Sequence, residues 1–195
     1  MATDISTATP TSRRPKRADA ARNYDALIAA AREAFTQDDA DASLEDIARR
    51  AGVGIGTLYR HFPTRKDLLA AVYEEEVQAI CRSAEEFADL PPWEALTGWL
   101  RRFTKYAVTK RALMDALMDY VAIEDPVFQS CRIAINTTGG ALVERAKASG
   151  DVRPDADFAD IGRMVAGIAT IRYAEPGQIE RILELALDGL RYRPV

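Results

Sequence analysis

Histidine is nearly missing from this chain: His61 stands alone among 195 residues, beside only two cysteines, Cys81 and Cys131. A histidine-based triad or a multi-histidine metal site therefore cannot be built within one chain. The cysteines lack a C-x-x-C spacing and fall singly inside helical patterns, which reads as two buried free thiols in a reducing compartment. There is no P-loop and no G-x-G-x-x-G after a strand. Acidic pairs at helical spacing, such as Asp115 and Asp119, read as surface charge. No apolar run approaches the roughly 18 residues of a membrane span, and the opening MATDISTATPTSRRPKR has no apolar stretch of the kind a secretory leader needs. These absences point to a cytoplasmic protein that is not an enzyme and uses no metal or cofactor.

What is present is 48% apolar and 29% charged residues, enough for a real core in one domain or two small ones. The net charge of −4 is unevenly spread: residues 1–66 hold 11 Lys and Arg against 9 Asp and Glu, and the remainder holds 15 against 21. Arg13, Arg14, Lys16, Arg17 and Arg22 face only Asp19, so affinity for phosphates is concentrated at one end. Residues 1–18, rich in Thr, Ser, Pro and Arg, predict a disordered basic arm, either DNA-contacting or merely a soluble tail.

The chain is organised around SLEDIARRAGVGIGTLYRHFPTRK, residues 43–66. Ser43 and Asp46 form a capping box, and Leu44, Ile47 and Ala48 share one face of a helix to about Ala51. Gly52 can take the positive φ that ends it, with apolar Val53 closing the turn. A second helix runs from Gly54 or Ile55 to before Pro63, with Leu58 and Phe62 inward. Thr64 and Asp67 open the next helix with another box. A small Ala48 where two helices approach, a glycine four residues on and Leu58 as plug are the requirements of a helix-turn-helix over about 43–62. The second helix leaves Gly56, Thr57, Tyr59, Arg60 and His61 outward, a set suited to phosphates and base edges.

The stretch GVGIGTLYRHFPTRKDLL resembles the DNA-binding signature of the TetR-type bacterial transcriptional regulators. The likeness is strong over about Asp19 to Val72 and architectural beyond it; Ile55 departs from the polar or basic residue many members carry. The resemblance implies DNA contacts from Ser43, Ile55, Gly56, Thr57, Tyr59, Arg60, His61 and Lys66. Thr57 and Tyr59 match phosphate-contacting hydroxyls, His61 and Lys66 match backbone contacts, and Arg60 suits either a guanine or a phosphate.

The rest of the chain reads as helices. Asp19–Thr36 carries the stripe Tyr24, Leu27, Ile28, Ala31 and Phe35. The helix after Thr64 should run about 25 residues, or ~37 Å, exposing Glu74, Glu75 and Glu76. Leu90-Pro91-Pro92 breaks the pattern, further helices follow from Pro92 and from about Arg111, and Asp125-Pro126 caps a long helix to about Ser149. Gly139-Gly140 at its middle predicts a kink or a close contact. The last two helices, about Asp155–Tyr173 and Pro176–Tyr192, are apolar on more than one face, which suits a dimer interface, as the resemblance implies, or else an intramolecular core.

The expected fold is all-α: a three-helix DNA-binding module over 19–66, a long linking helix, and over 67–195 a helical bundle that dimerises through 155–192. The resemblance implies a small, largely apolar effector within that bundle, near Trp99, Phe103, Tyr106, Met114, Met118, Cys131, Ile135, Asn136 and Met164, with Asn136 as a buried amide. The function implied is a repressor that binds a pseudo-palindromic duplex operator as a homodimer and is released by the effector. An effector-independent architectural DNA binder, or an adaptor that chiefly binds another protein, are the alternatives.

Overall fold

The computed structural model describes residues 18–36 and 42–192. The basic arm, but for Ala18, and the QDDADA connection, but for Ala42, lie outside the described residues.

The fold is all-α. The helices are α1 (Ala18–Thr36), α2 (Leu44–Arg50), α3 (Ile55–His61), α4 (Arg65–Arg82), α5 (Pro92–Thr109), α6 (Arg111–Met118), α7 (Pro126–Ala148), α8 (Phe158–Ala169) and α9 (Gln178–Asp188), with a 3₁₀ turn at Ser83–Phe87. Among the described residues the only β pairing is one isolated antiparallel bridge, Val152 with Arg191.

Two compact units form. The first runs to Glu74 and takes in Ala112–Ser130; the second comprises Glu75–Arg111 and the chain from Cys131. Position 66/67, the domain boundary read from the sequence, falls inside the first unit. The first core joins the apolar stripe of α1 (Tyr24, Leu27, Ile28, Ala31, Phe35) to Ile47, Ala48, Leu58 and Phe62, with Leu113, Leu117 and Phe128 added by α6 and α7. The second is centred on Trp99, Leu100 and Phe103 of α5, packed with Val143 of α7, Phe158, Ile161 and Val165 of α8, and Leu183 and Leu187 of α9.

Several expectations are corrected. The helix after Thr64 is 18 residues, not about 25. Its continuation depends on carbonyls such as that of Ile80, which instead accepts the Ser83 hydroxyl at 2.7 Å and the Trp99 indole N–H at 3.0 Å. With that acceptor occupied, the chain tightens into the 3₁₀ turn. The acidic run is not wholly solvated either. Glu76 is buried and pairs with Lys110 at 3.1 Å, where the C-terminus of α5 meets α4. Cys131 is buried as expected but Cys81 only half so; burial pushes its thiol above the usual range, against a hydrogen bond with Thr138. The last two helices are shorter than read. Asp157 caps α8 by accepting the Asp160 amide, and Gly177, at φ +74°, precedes α9.

Candidate nucleic-acid interface

Local chemistry sets the geometry of the α2–α3 pair. Ser43 Oγ accepts the Asp46 amide at 3.1 Å while its hydroxyl donates to the Asp46 carboxylate at 2.7 Å. That bond, with help from the charge of Arg49, holds the Asp46 carboxyl below its ordinary range. At the other end Gly52 takes φ +68°. The Val53 amide reaches back to the Ala48 carbonyl at 3.0 Å and the Gly52 amide to that of Arg49 at 3.1 Å. This is the paired hydrogen-bond closure in which a left-handed residue ends a helix, and it turns the chain sharply into α3. Gly54 then lends its carbonyl to the amides of Thr57 and Leu58.

Ala48, Leu58 and Phe62 are buried between the helices, and α1 covers their back. Tyr24 of α1 lies 5.3 Å from the Phe62 ring and meets His61 edge-on at 6.2 Å. With its inner face filled, α3 turns the other side outward. Ile55, Gly56, Tyr59 (45% exposed) and Arg60 are exposed, and Thr57 and His61 are half-buried. Nothing lies within 4 Å of a Cβ built at Gly56, so the chain's own packing does not require glycine there.

The next charged run divides by role. Thr64 and Asp67 close a reciprocal box: the Thr64 amide donates to Asp67 at 3.0 Å and the Asp67 amide to Thr64 at 3.2 Å. Arg65 lies over the Phe35 ring at 5.4 Å and donates to the Ala42 carbonyl, so it braces the module. Lys66 keeps its side chain 45% exposed, with its Nζ 3.5 Å from Asp125. The eight residues expected at DNA thus separate. Ser43 has spent its only hydroxyl hydrogen on its cap, His61 leans on Tyr24, and Ile55, Gly56, Thr57, Tyr59, Arg60 and Lys66 lie along the outer side of α3 and the start of α4. Asp125, 59 residues from Lys66, is marked in the sequence as the cap of α7, but nothing local marks it as the partner of Lys66.

The residues expected around an effector do not form one wall. Trp99 and Phe103 stack at 5.3 Å, and Phe103 and Tyr106 at 6.2 Å. Phe158 packs on Trp99 at 5.8 Å and on Phe103 at 6.3 Å, so this cluster is filled by the chain itself. Ile135 and Met164 pack at the margin of the same core, and Cys131 is buried. Met114 is half-buried against the first core, and Met118 is exposed (44%). Asn136 is also exposed rather than a buried amide, because the face of α7 that turns inward there carries Gly139, Leu142 and Val143 instead. Sequence reasoning missed a groove of about 430 Å³ between α5 and α9, lined by Thr104, Val108, Ile179 and Leu183 with Arg101 and Glu184 at its edge. There Arg101 grips Glu184 with two bonds of 2.6 and 2.8 Å, which hold the Glu184 carboxyl below its ordinary range.

Comparison with known proteins agrees with this geometry. A family model described as bacterial regulatory proteins, tetR family, matches residues 27–72, and one for the transcriptional regulator SbtR-like C-terminal domain matches 91–192. A TetR transcriptional regulator from Streptomyces coelicolor has a similar structure, with TM-score 0.73 at 44% identity over 88% of this chain and 99% of that one. A TetR transcription regulatory protein from Mycobacterium vanbaalenii gives 0.73 at 35% identity, over 91% and 100%. An HTH-type transcriptional regulator from Staphylococcus aureus is 31% identical over 107 residues, which span 53% of this chain and 56% of that protein.

Proposed function

The chain belongs to the TetR family of bacterial transcriptional regulators, DNA-binding proteins that are not enzymes, and from that premise we propose that it is a homodimeric, effector-released repressor. The observation that carries this reading is the outer face of α3, exposed on a helix-turn-helix whose inner face is fully packed.

Two α3 helices, one from each protomer, enter successive major grooves of a pseudo-palindromic operator about 34–36 Å apart. The hydroxyls of Thr57 and Tyr59 and the ammonium of Lys66 meet phosphates, the open side of Gly56 lets the helix come close, and Arg60 meets a guanine edge or a phosphate. The protomers pair through the region 155–192. Its inward residues Phe158, Ile161, Val165 and Leu187 are used within the chain, while Leu185 stays 74% exposed and Ala166, Gly167 and Ile171 are exposed beside small neighbours.

A small, largely apolar effector in the second unit stabilises a spacing of the two α3 helices that does not fit DNA. The aromatic ladder of Trp99, Phe103 and Tyr106 supports such a ligand if Phe158 yields its place. No described helix is long and apolar enough to cross a membrane, and the proposed site of action is the cytoplasm. The test is stoichiometry by sedimentation on an operator-bearing duplex, then affinity with and without small apolar compounds. Two protomers per duplex and a compound that releases them support the reading. One protomer, or equal affinity with every compound, contradicts it.

A further inference from the structure

We propose that Asp125 is a built-in competitor for the DNA phosphate at Lys66, so that the free protein carries one of its own DNA contacts in a self-inhibited state. This rests on the reading above, that Lys66 meets a phosphate.

The geometry is asymmetric in a way that suits competition. Asp125 is fixed: its Oδ1 accepts the Val127 amide at 3.0 Å and its backbone carbonyl accepts the amides of Phe128 and Gln129, so it caps α7 whether or not Lys66 is near. The other carboxylate oxygen, Oδ2, faces Lys66 at 3.5 Å. Lys66 is the movable partner, a compact ammonium on a flexible four-carbon stem. At 3.5 Å the contact is longer than the roughly 2.7–2.9 Å of a tight charge-assisted bond, and both side chains keep solvent access, 45% and 24%. Such a pair exchanges readily.

Its neighbours cannot take its place. Arg65 is held over Phe35 and on the Ala42 carbonyl, and Asp67 is engaged by Thr64. A phosphate arriving at Lys66 must therefore displace a carboxylate that stays close by and repels it. Residues of α7 are divided between the two units at Ser130 and Cys131. A shift of its capped N-terminus would free or tighten the pair, giving α7 a direct electrostatic influence on DNA affinity.

The experiment is a double-mutant cycle on the full chain with Asp125→Asn, Lys66→Gln and both together, titrated against one fluorescent duplex of about 30 base pairs of arbitrary sequence, whose binding is dominated by phosphates. Asparagine is as good an N-cap as aspartate, so Asp125→Asn removes charge and keeps the helix start; unchanged melting curves check this. Because exposed ion pairs are weak, Asp125→Asn should tighten binding by about two- to fivefold. The gain should be largest near ~50 mM salt, shrink by ~200 mM, and vanish in the Lys66→Gln background. An equal gain in both backgrounds would show a general field effect and overturn the proposal. A loss with Asp125→Asn would overturn it too, by showing that Asp125 positions Lys66 for DNA. If Lys66→Gln weakens binding but Asp125→Asn brings no gain, the competition fails while the phosphate contact stands. If Lys66→Gln changes nothing, the contact fails and the proposal with it.

Discussion

The ring of Phe158 occupies the space in which a side chain at Gly139 would begin: a Cβ there would stand 2.1 Å from Phe158 Cε2 and 2.3 Å from Cζ. This is the close contact that the Gly139-Gly140 pair foreshadowed. It brings α8 onto α7 beside Trp99 and Phe103. At Gly140 a Cβ would meet nothing within 4 Å. The two adjacent glycines should therefore respond in opposite directions. Gly139→Ala should destabilise the second unit by about 1–3 kcal/mol, the usual cost of overpacking a core. Gly140→Ala should stabilise it by up to about 1 kcal/mol through helix propensity alone. Thermal unfolding of the two variants is the check, and equal shifts would mean that Phe158 moves aside at no cost.

Gly56 should separate stability from function. Its α-carbon faces open space on the outer side of α3. Gly56→Ala should leave the melting temperature unchanged or slightly raised, because alanine restricts the unfolded chain at a helical position it can adopt. The same methyl would stand between the helix and the groove and should weaken operator binding by about tenfold, the effect of roughly 1.4 kcal/mol. Equal operator affinity would remove α3 from the groove.

Much of this module was legible because its signals are local. The Ser43–Asp46 and Thr64–Asp67 boxes and Gly52 at the turn depend on residues within a few positions, Leu58 as plug on Ala48 ten residues before it, and each acts in the structure as its spacing implies. Long-range partners were not legible. The early end of α4 depends on Trp99 reaching the Ile80 carbonyl from 19 residues away. Glu76 belongs to a run whose pattern is that of a solvated face, and its burial depends on Lys110, 34 residues away. Asn136 reads as inward in the sequence yet is exposed, because periodicity does not show which side of α7 a neighbour covers. For the same reason the groove between α5 and α9, with the left-handed Gly177 in its lining, leaves no mark in the pattern.

Ser43 should matter to the fold rather than to DNA. Ser43→Ala removes the cap of α2 and should lower the melting temperature by about 2–4 °C at neutral pH, from roughly 1 kcal/mol for an N-cap. The Asp46 carboxyl is held below its ordinary 3.8, first by the Ser43 hydroxyl and then by Arg49. A carboxyl depressed in the folded state contributes stability above its unfolded pKa and loses it as the pH falls through the folded value. The gap between wild type and Ser43→Ala should therefore narrow on acidification below pH 3.8. Melting curves across that range decide; a gap that widens in acid would contradict the assignment.

Leu185 should decide assembly. It is 74% exposed on α9 while Leu187, two residues on, is 2% exposed. Leu185→Glu should fold normally and shift sedimentation from dimer to monomer, with operator affinity falling by at least tenfold as the second α3 is lost. Leu187→Glu should instead unfold the second unit, since a buried unpaired carboxylate costs several kcal/mol. A dimer that survives Leu185→Glu intact would place the interface elsewhere.

The most direct test of the central claim is selection of bound sequences from a random duplex pool at two salt concentrations, with Tyr59→Ala and Lys66→Ala in parallel. A dimer presenting two α3 helices predicts an enriched pseudo-palindrome with half-sites about one helical turn apart, lost in both variants. Binding that falls steeply with salt yet enriches no sequence, or no binding at either salt, would contradict a sequence-reading regulator.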